Sequence, residues 1–277
     1  MSDGDGGLRV ATGRAEVVRE LRAAGALLAG VRAPVPARPP WLTVALNAGG
    51  PGRPVALVAD GAGNRPAGLA ALVLRGRGVA VTAGLLGDRL PAPEGTPPAR
   101  IPVRDDATAD RLAAGVLALL ESLRRPWTLR LTGLPMGDPT LRALGRLRPD
   151  AAFANARSAR LVDELAAAGA VVRSRDPRDV EAALPALLAS RPDRRGRTAL
   201  RAAARLHAAI GQVEVATVTD GDRLRAGLLT LVDGTGRQPW WGWSDAGGLR
   251  TEMGAPVVTL ALRGGPAGPF SRRSRAG

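Results

Sequence analysis

The sequence predicts an α/β protein made of two related units, each with helices followed by an antiparallel meander. Three observations predict it. Apolar residues recur at helical spacing in several stretches. Short runs rich in Val, Leu and Ala, bounded by Gly, Asp or Pro, alternate with those stretches and read as strands. The order of helices and then a meander occurs in both halves of the chain.

Taken in order, residues 14–30 put Val17, Val18, Leu21, Leu27 and Leu28 roughly on one helical face. The stretch "APVPARPP" ends that helix, because proline lacks an N–H and restricts the residue before it. "WLTVAL" and "PVALVAD" then read as strands, with "GAGN" as a turn after Asp60. "AGLAALVLRG" and "VAVTAGLLGD" complete an antiparallel meander, and a proline-rich loop follows at 91–102. "DDATADRLAAGVLALLESLRR" is a helix striped by Leu112, Val116, Leu119, Leu120 and Leu123, with Asp105, Asp106 or Thr108 as its cap. "PWTLRLTGLP" alternates as a strand, and "DPTLRALGRL" opens with an Asp-Pro helix start.

From residue 155 the pattern restarts. "ARSARLVDELAAAG" reads as a helix stopped by Gly169, followed by the strand "AVVRS". "DPRDVEAALPALLAS" starts on Asp176 and Pro177 and is kinked by Pro185, and "RTALRAAARLHAAIG" is a further helix. "QVEVATV", "RLRAGLLTLV" and "RQPWWGW" then form three strands, and the turns "TDGD" and "DGTG" carry the Asp-Gly pair that favours tight hairpins.

Composition excludes several classes. Cysteine is absent, which removes disulfides, thiolate metal sites and a cysteine nucleophile, and tyrosine is absent as a phenolic acid. The single histidine, His207, leaves little for a metal centre or a triad, and its helical position suits a core residue. No apolar run reaches 18 residues, and the opening "MSDGDGG" has neither a basic nor an apolar signal region, so a cytoplasmic protein without a membrane span is expected. The net charge of +14 attracts phosphates, but its arginines are scattered and no lysine accompanies them. A solvated basic surface is therefore expected before a dedicated nucleic-acid site.

The order of helices, Asp-Gly meander and aromatic third strand resembles the GCN5-related N-acetyltransferase (GNAT) superfamily. It is most similar to the tandem branch that holds cellulose-biosynthesis-type and Fem-type acyltransferases. "ARSARLVDELAAAGAVV", "GQVEVATVTDGDRLRAGLLTLVDG" and "WWGWSDAGGLRTEMGAPVV" carry the likeness over 155–260, and "RPPWLTVAL", "VALVADGAGNRPAGLAALVL" and "GLLGD" carry a fainter one over 17–90. The resemblance implies a disordered N-terminus at 1–13, a first GNAT-like unit at 14–150, a second, shortened unit at 151–262 and a disordered basic tail at 263–277. Two departures stand out. The phosphate-loop pattern is matched literally only by "RGRGVA", Arg75 to Ala80, between two strands and so read as a turn. After "APVVTLAL" the chain runs into "RGGPAGPFSRRSRAG", where the family continues with a strand and a helix.

In that family the strand before the pyrophosphate loop splays from its neighbour and takes the pantetheine arm, while the next helix N-terminus faces the pyrophosphate. The resemblance thus implies acyl-CoA as co-substrate, a small-molecule or peptide amine as acceptor, no metal, and a second subunit as a possible partner. Trp241, Trp243 and Ser244 would border the acyl chain, with Gly247, Gly248 and Arg250 at the pyrophosphate and a helix after them. Trp240 and Gly242 would face the other way. Glu214, Asp245 and Glu252, the last at the helix start, are the candidate bases for an amine. Each also has a plainer reading: tryptophans fill cores, glycines make turns, and carboxylates face solvent. Two further functions stay open, a non-catalytic binding or regulatory protein of this fold and a basic nucleic-acid-associated protein.

Overall fold

The computed structural model describes residues 7–265 except 49, 89, 91–94 and 192. It is an α/β molecule with two sheets flanked by helices. The strands of the large sheet are β1 (Leu8–Thr12), β2 (Arg53–Asp60), β3 (Pro66–Arg77), β4 (Ala80–Leu85), β5 (Trp127–Pro135), β6 (Ala152–Asp163) and β11 (Leu249–Gly264). Their order is β1-β2-β3-β4-β5-β11-β6. The small sheet holds β7 (Val172–Ser174), β8 (Val213–Asp220), β9 (Arg223–Asp233) and β10 (Gly236–Ser244), in the order β10-β9-β8-β7. Both expected meanders are present, as β2–β3–β4 and β8–β9–β10, and are antiparallel. Arg75 to Ala80 lies at the β3–β4 hairpin, with Gly78 at φ 59°.

The helices are α1 (Arg14–Ala23), α2 (Gly25–Gly30), α3 (Pro39–Ala48), α4 (Asp106–Ser122), α5 (Pro139–Leu147), α6 (Pro177–Ala189) and α7 (Arg194–Ala209). Asp105, Asp138, Asp176 and Asp193 cap the last four, each accepting backbone N–H groups of the first turn. Two apolar cores follow. One joins α4 and α5 to β2–β5 and β11, through Leu57, Leu112, Leu129, Leu144 and Leu260. The other is shared between the sheets: Leu21, Leu27 and Trp41 of α1–α3 pack with Leu184 and Leu200 of α6 and α7 and with Leu229 and Trp240. Among the described residues no helix is long and apolar enough to cross a membrane.

Four expectations change. "WLTVAL" is not a strand but the body of α3, where Trp41, Leu42, Val44 and Ala45 are buried at helical spacing after Pro39 and Pro40 open the first turn. The stretch 155–163 is not helical; it is β6, held by pairing with β11 from Leu249–Asp163 to Ala261–Ala152. Residues 249–264 form β11 rather than a loop and a helix. Residues 8–12 are not disordered, because β1 pairs with β2 along its length. Residues 1–6 and 266–277 of the expected disordered ends lie outside the described residues.

Candidate functional site

The tryptophan-bearing strand β10 is the outer strand of the small sheet. Alternation breaks at a bulge between Pro239 and Trp241, so Trp240 and Trp241 both reach the shared core and Trp243 packs against it. This corrects the two-sided arrangement expected from simple alternation. Pro239, which has no N–H for a ladder, was the one sequence signal of the irregularity. Trp240 is fully buried, with Trp41 and His207 edge-on to its ring at 6.0 and 6.1 Å. The space beside Gly242 is filled: a Cβ there would stand 2.8 Å from both Gly227 O and Leu249 Cδ1.

Consecutive strands β10 and β11 do part, one staying in the small sheet and the other crossing to the large one. Between them residues 245–248 make a closed turn. Ser244 Oγ donates to Gly247 O and accepts from the N–H of Ala246 at 3.1 Å. Gly248, at φ 79°, is pressed against the backbone of Glu164 and Leu165, and its carbonyl accepts the Glu164 N–H at 2.9 Å. The turn leads into a strand, so no helix N-terminus stands here to face a pyrophosphate. Arg250 is tied to Glu164 and Glu252 at 2.7 and 2.6 Å. These residues do not fit a coenzyme A pyrophosphate.

The candidate carboxylates are each held by arginine. Glu214, on β8 and 5% exposed, accepts from both Nη atoms of Arg237 and lies near Arg173 and Arg175. The hydrogen-bonded guanidinium of Arg237 holds its carboxyl below the ordinary glutamate range. Asp245 meets Arg225 Nε at 2.7 Å and Arg223 Nη2 at 2.8 Å, and Arg225 likewise lowers its pKa. Glu252 stands on β11 and not at a helix start; Arg160, 2.6 Å away, and Arg250 lower its pKa too. A base for an amine works best with its pKa near the operating pH, the opposite direction. Nor do the three converge. Asp245 and Glu252 flank one turn, whereas Glu214 shares its level with Pro239, both opposite Thr230 and roughly 20 Å down the strand from Asp245. His207 is buried, which pushes its pKa down, and its Nδ1 lies 3.4 Å from Gln212 Oε1.

A second pair of strands parts at a place that no motif marks. β4 and β5 run parallel and pair from Val81 with Trp127 to Gly84 with Arg130. Beyond that point Leu86 turns to Ala71 of β3, while β5 stays with β11. The opening holds a cavity of about 270 Å³ lined by Trp41, Leu85, Leu86, Thr132, Ser158 and Val257, with residues 96–99 as one wall. The helix that follows β4 is α4. Its N-terminus is occupied by Asp105, which accepts the Thr108 N–H at 2.7 Å and has its pKa lowered by hydrogen bonds from the Thr108 side chain and N–H; Asp106 beside it is paired with Arg142 at 3.1 Å. A carboxylate already takes the first-turn N–H that a phosphate would need, so this end does not fit a pyrophosphate either. Among the described residues no group of three or more His, Asp or Glu side chains converges as a metal site.

The architecture resembles a tandem GNAT protein. The solved structure in question is a tandem GNAT protein from the clavulanic acid biosynthesis pathway, without AcCoA, 14% identical over 95% of this chain and 100% of that one, with a TM-score of 0.43. Another is a conserved protein of unknown function from Enterococcus faecalis V583, a probable N-acyltransferase, 10% identical over 92% of this chain and 72% of that one, with a TM-score of 0.34. No family model and no curated protein matches the chain.

Proposed function

We propose that this chain keeps a GNAT-like architecture as a non-catalytic binding or regulatory protein and does not transfer acyl groups from a coenzyme A thioester. We also place its origin in the tandem acyltransferase branch, with units at 14–150 and 151–262, the second lending β6 and β11 to the sheet of the first. The observation that carries the functional reading is the turn after β10: Gly248 is packed on Glu164 and Leu165, and a strand follows where phosphate recognition needs a helix. The arginine-bound carboxylates support it, since none is poised to take a proton from an amine.

The test is a thermal titration with acetyl-CoA and longer acyl-CoAs. A specific site filled at a hundred times its Kd would stabilise the fold by about 2.7 kcal/mol, a shift of several degrees. We expect a flat response; a saturable rise would overturn the proposal.

One observation favours a second reading. The parting of β4 from β5 beside an apolar cavity is the geometry the family uses for a pantetheine arm. Under that reading the titration shows a rise, and Leu85→Trp, which fills the cavity, abolishes it. Binding to DNA that vanishes between low and moderate salt, whatever the DNA sequence, would mark the basic surface as charge alone.

A further inference from the structure

The outer edge of β10 is not bare. The N–H of Gly95 donates to Trp240 O at 3.0 Å, and the Gln238 side-chain amide donates to Gly95 O at 2.9 Å. The Trp240 indole N–H donates to Thr96 Oγ1 at 3.1 Å. Gly95 is thus bonded through both its backbone groups: its N–H meets the backbone of β10 as that of an added strand would, and its carbonyl is held by a side chain. The approach is so close that a Cβ on Gly95 would run into the carbonyl oxygens of Pro239 and Trp240. Only glycine fits there.

The next residues stiffen the segment. Pro97 and Pro98 have fixed φ and no N–H, so they hold the chain extended and leave no backbone donor unpaired. Residues 96–99 then form a wall of the 270 Å³ cavity between β4 and β5. Trp41 lines that cavity from another side and meets Trp240 behind it. This segment and Trp41 therefore both stand between the cavity and Trp240 of β10.

We infer that residues 95–99 are an intramolecular strap that occupies the edge of β10 in the manner of an extended amide ligand and, with Trp41, walls the β4/β5 cavity off from that edge. The inference rests on the reading of the β10 region as closed to a coenzyme, but its test uses no coenzyme. Backbone and indole hydrogen exchange is followed by NMR in the wild type, in Thr96→Val and in Gln238→Ala. If the strap acts as a unit, the Gly95 amide is protected in the wild type. Either substitution, on opposite sides of the contact, lowers that protection by about tenfold, the effect of losing one hydrogen bond of ordinary strength. Acrylamide quenching of tryptophan emission rises in parallel as Trp240 becomes reachable. A Gly95 amide that exchanges at the open-chain rate in the wild type overturns the inference. So does a variant that changes only the group it directly removes. Acyl-CoA binding to the wild type with Gly95 still protected would end the functional proposal above and leave the strap standing.

Discussion

Glu214 of β8 and Arg237 of β10 form a two-pronged ion pair from strands on either side of β9, with the carboxylate almost wholly out of water. A carboxylate so placed holds the sheet together. Glu214→Gln should lower stability by about 1–3 kcal/mol in urea titrations, toward the lower figure because Arg237 is 40% exposed. The pH dependence has a definite sign. The folded pKa of Glu214 lies below its unfolded value, so its contribution is complete above the ordinary glutamate pKa and is lost as pH falls through the folded pKa. Acidification should therefore narrow the gap between wild type and variant. A gap constant from neutrality to about pH 3 would contradict this account.

Asp138 carries the opposite sign. It caps α5 from a site 3% exposed, accepting the N–H groups of Thr140 and Leu141 at 2.9 and 3.2 Å, and burial raises its pKa. A carboxylate whose folded pKa exceeds its unfolded one brings a penalty that is absent below the unfolded pKa and complete above the folded one. Asp138→Asn keeps the capping oxygen and removes the charge. We expect a gain of about 1 kcal/mol at neutral pH and none in acid, measured by urea unfolding at both.

The three clustered tryptophans should separate by burial. Trp240→Ala should cost about 3–5 kcal/mol, because a fully buried ring edge-on to Trp41 and His207 leaves a cavity. Trp243→Ala, at a half-buried position, should cost less than half as much. Equal losses in thermal or urea unfolding would show that Trp243 is as central to the core as Trp240.

The two glycines of the β10–β11 turn provide an internal comparison. Both have φ near 80°, so alanine costs about 1 kcal/mol at either. At Gly248 the added methyl also stands 2.9 Å from Glu164 O and 3.0 Å from Leu165 Cα, whereas at Gly247 nothing is near. Gly248→Ala should thus exceed Gly247→Ala by a further 1–2 kcal/mol, roughly the cost of forcing backbone apart. Indistinguishable melting temperatures would mean that the turn has room the geometry denies.

How legible was all this in the sequence? The helices α4 to α6 were readable because each begins on an aspartate that caps it and continues with an apolar stripe, whereas α7 shows its stripe but opens three residues before the expected Arg197, on Asp193. The Asp-Gly hairpins likewise announce themselves locally. β6 was misread because its alanines, arginines and leucine favour a helix, and most of its length is exposed on both faces, so no alternation marks it. Its state is decided by β11, which arrives from the far end of the chain. α3 was misread because a six-residue apolar run fits either a buried strand or a helix. The site failed for a related reason. Arg237, Arg173, Arg223 and Arg160 neutralise the candidate bases, and in a chain whose basic residues are all arginine no position signals which carboxylate it will meet. Gly95 and Thr96 lay inside a proline-rich loop whose partner is 144 residues away.

The interior place of β11, one strand in from the β6 edge of the large sheet, sets the timetable of folding. It slots between β5 and β6, and Gly264 comes to rest beside Trp127. While the polypeptide emerges from the ribosome, β5 and β6 therefore wait with a vacant slot between them until residue 264 has been made. Such long-range closure is slow and leaves strand edges open to neighbouring nascent chains. Early chaperone engagement and low yield on rapid overexpression are the behaviour to expect of a molecule keyed shut by a strand made long after both of its neighbours.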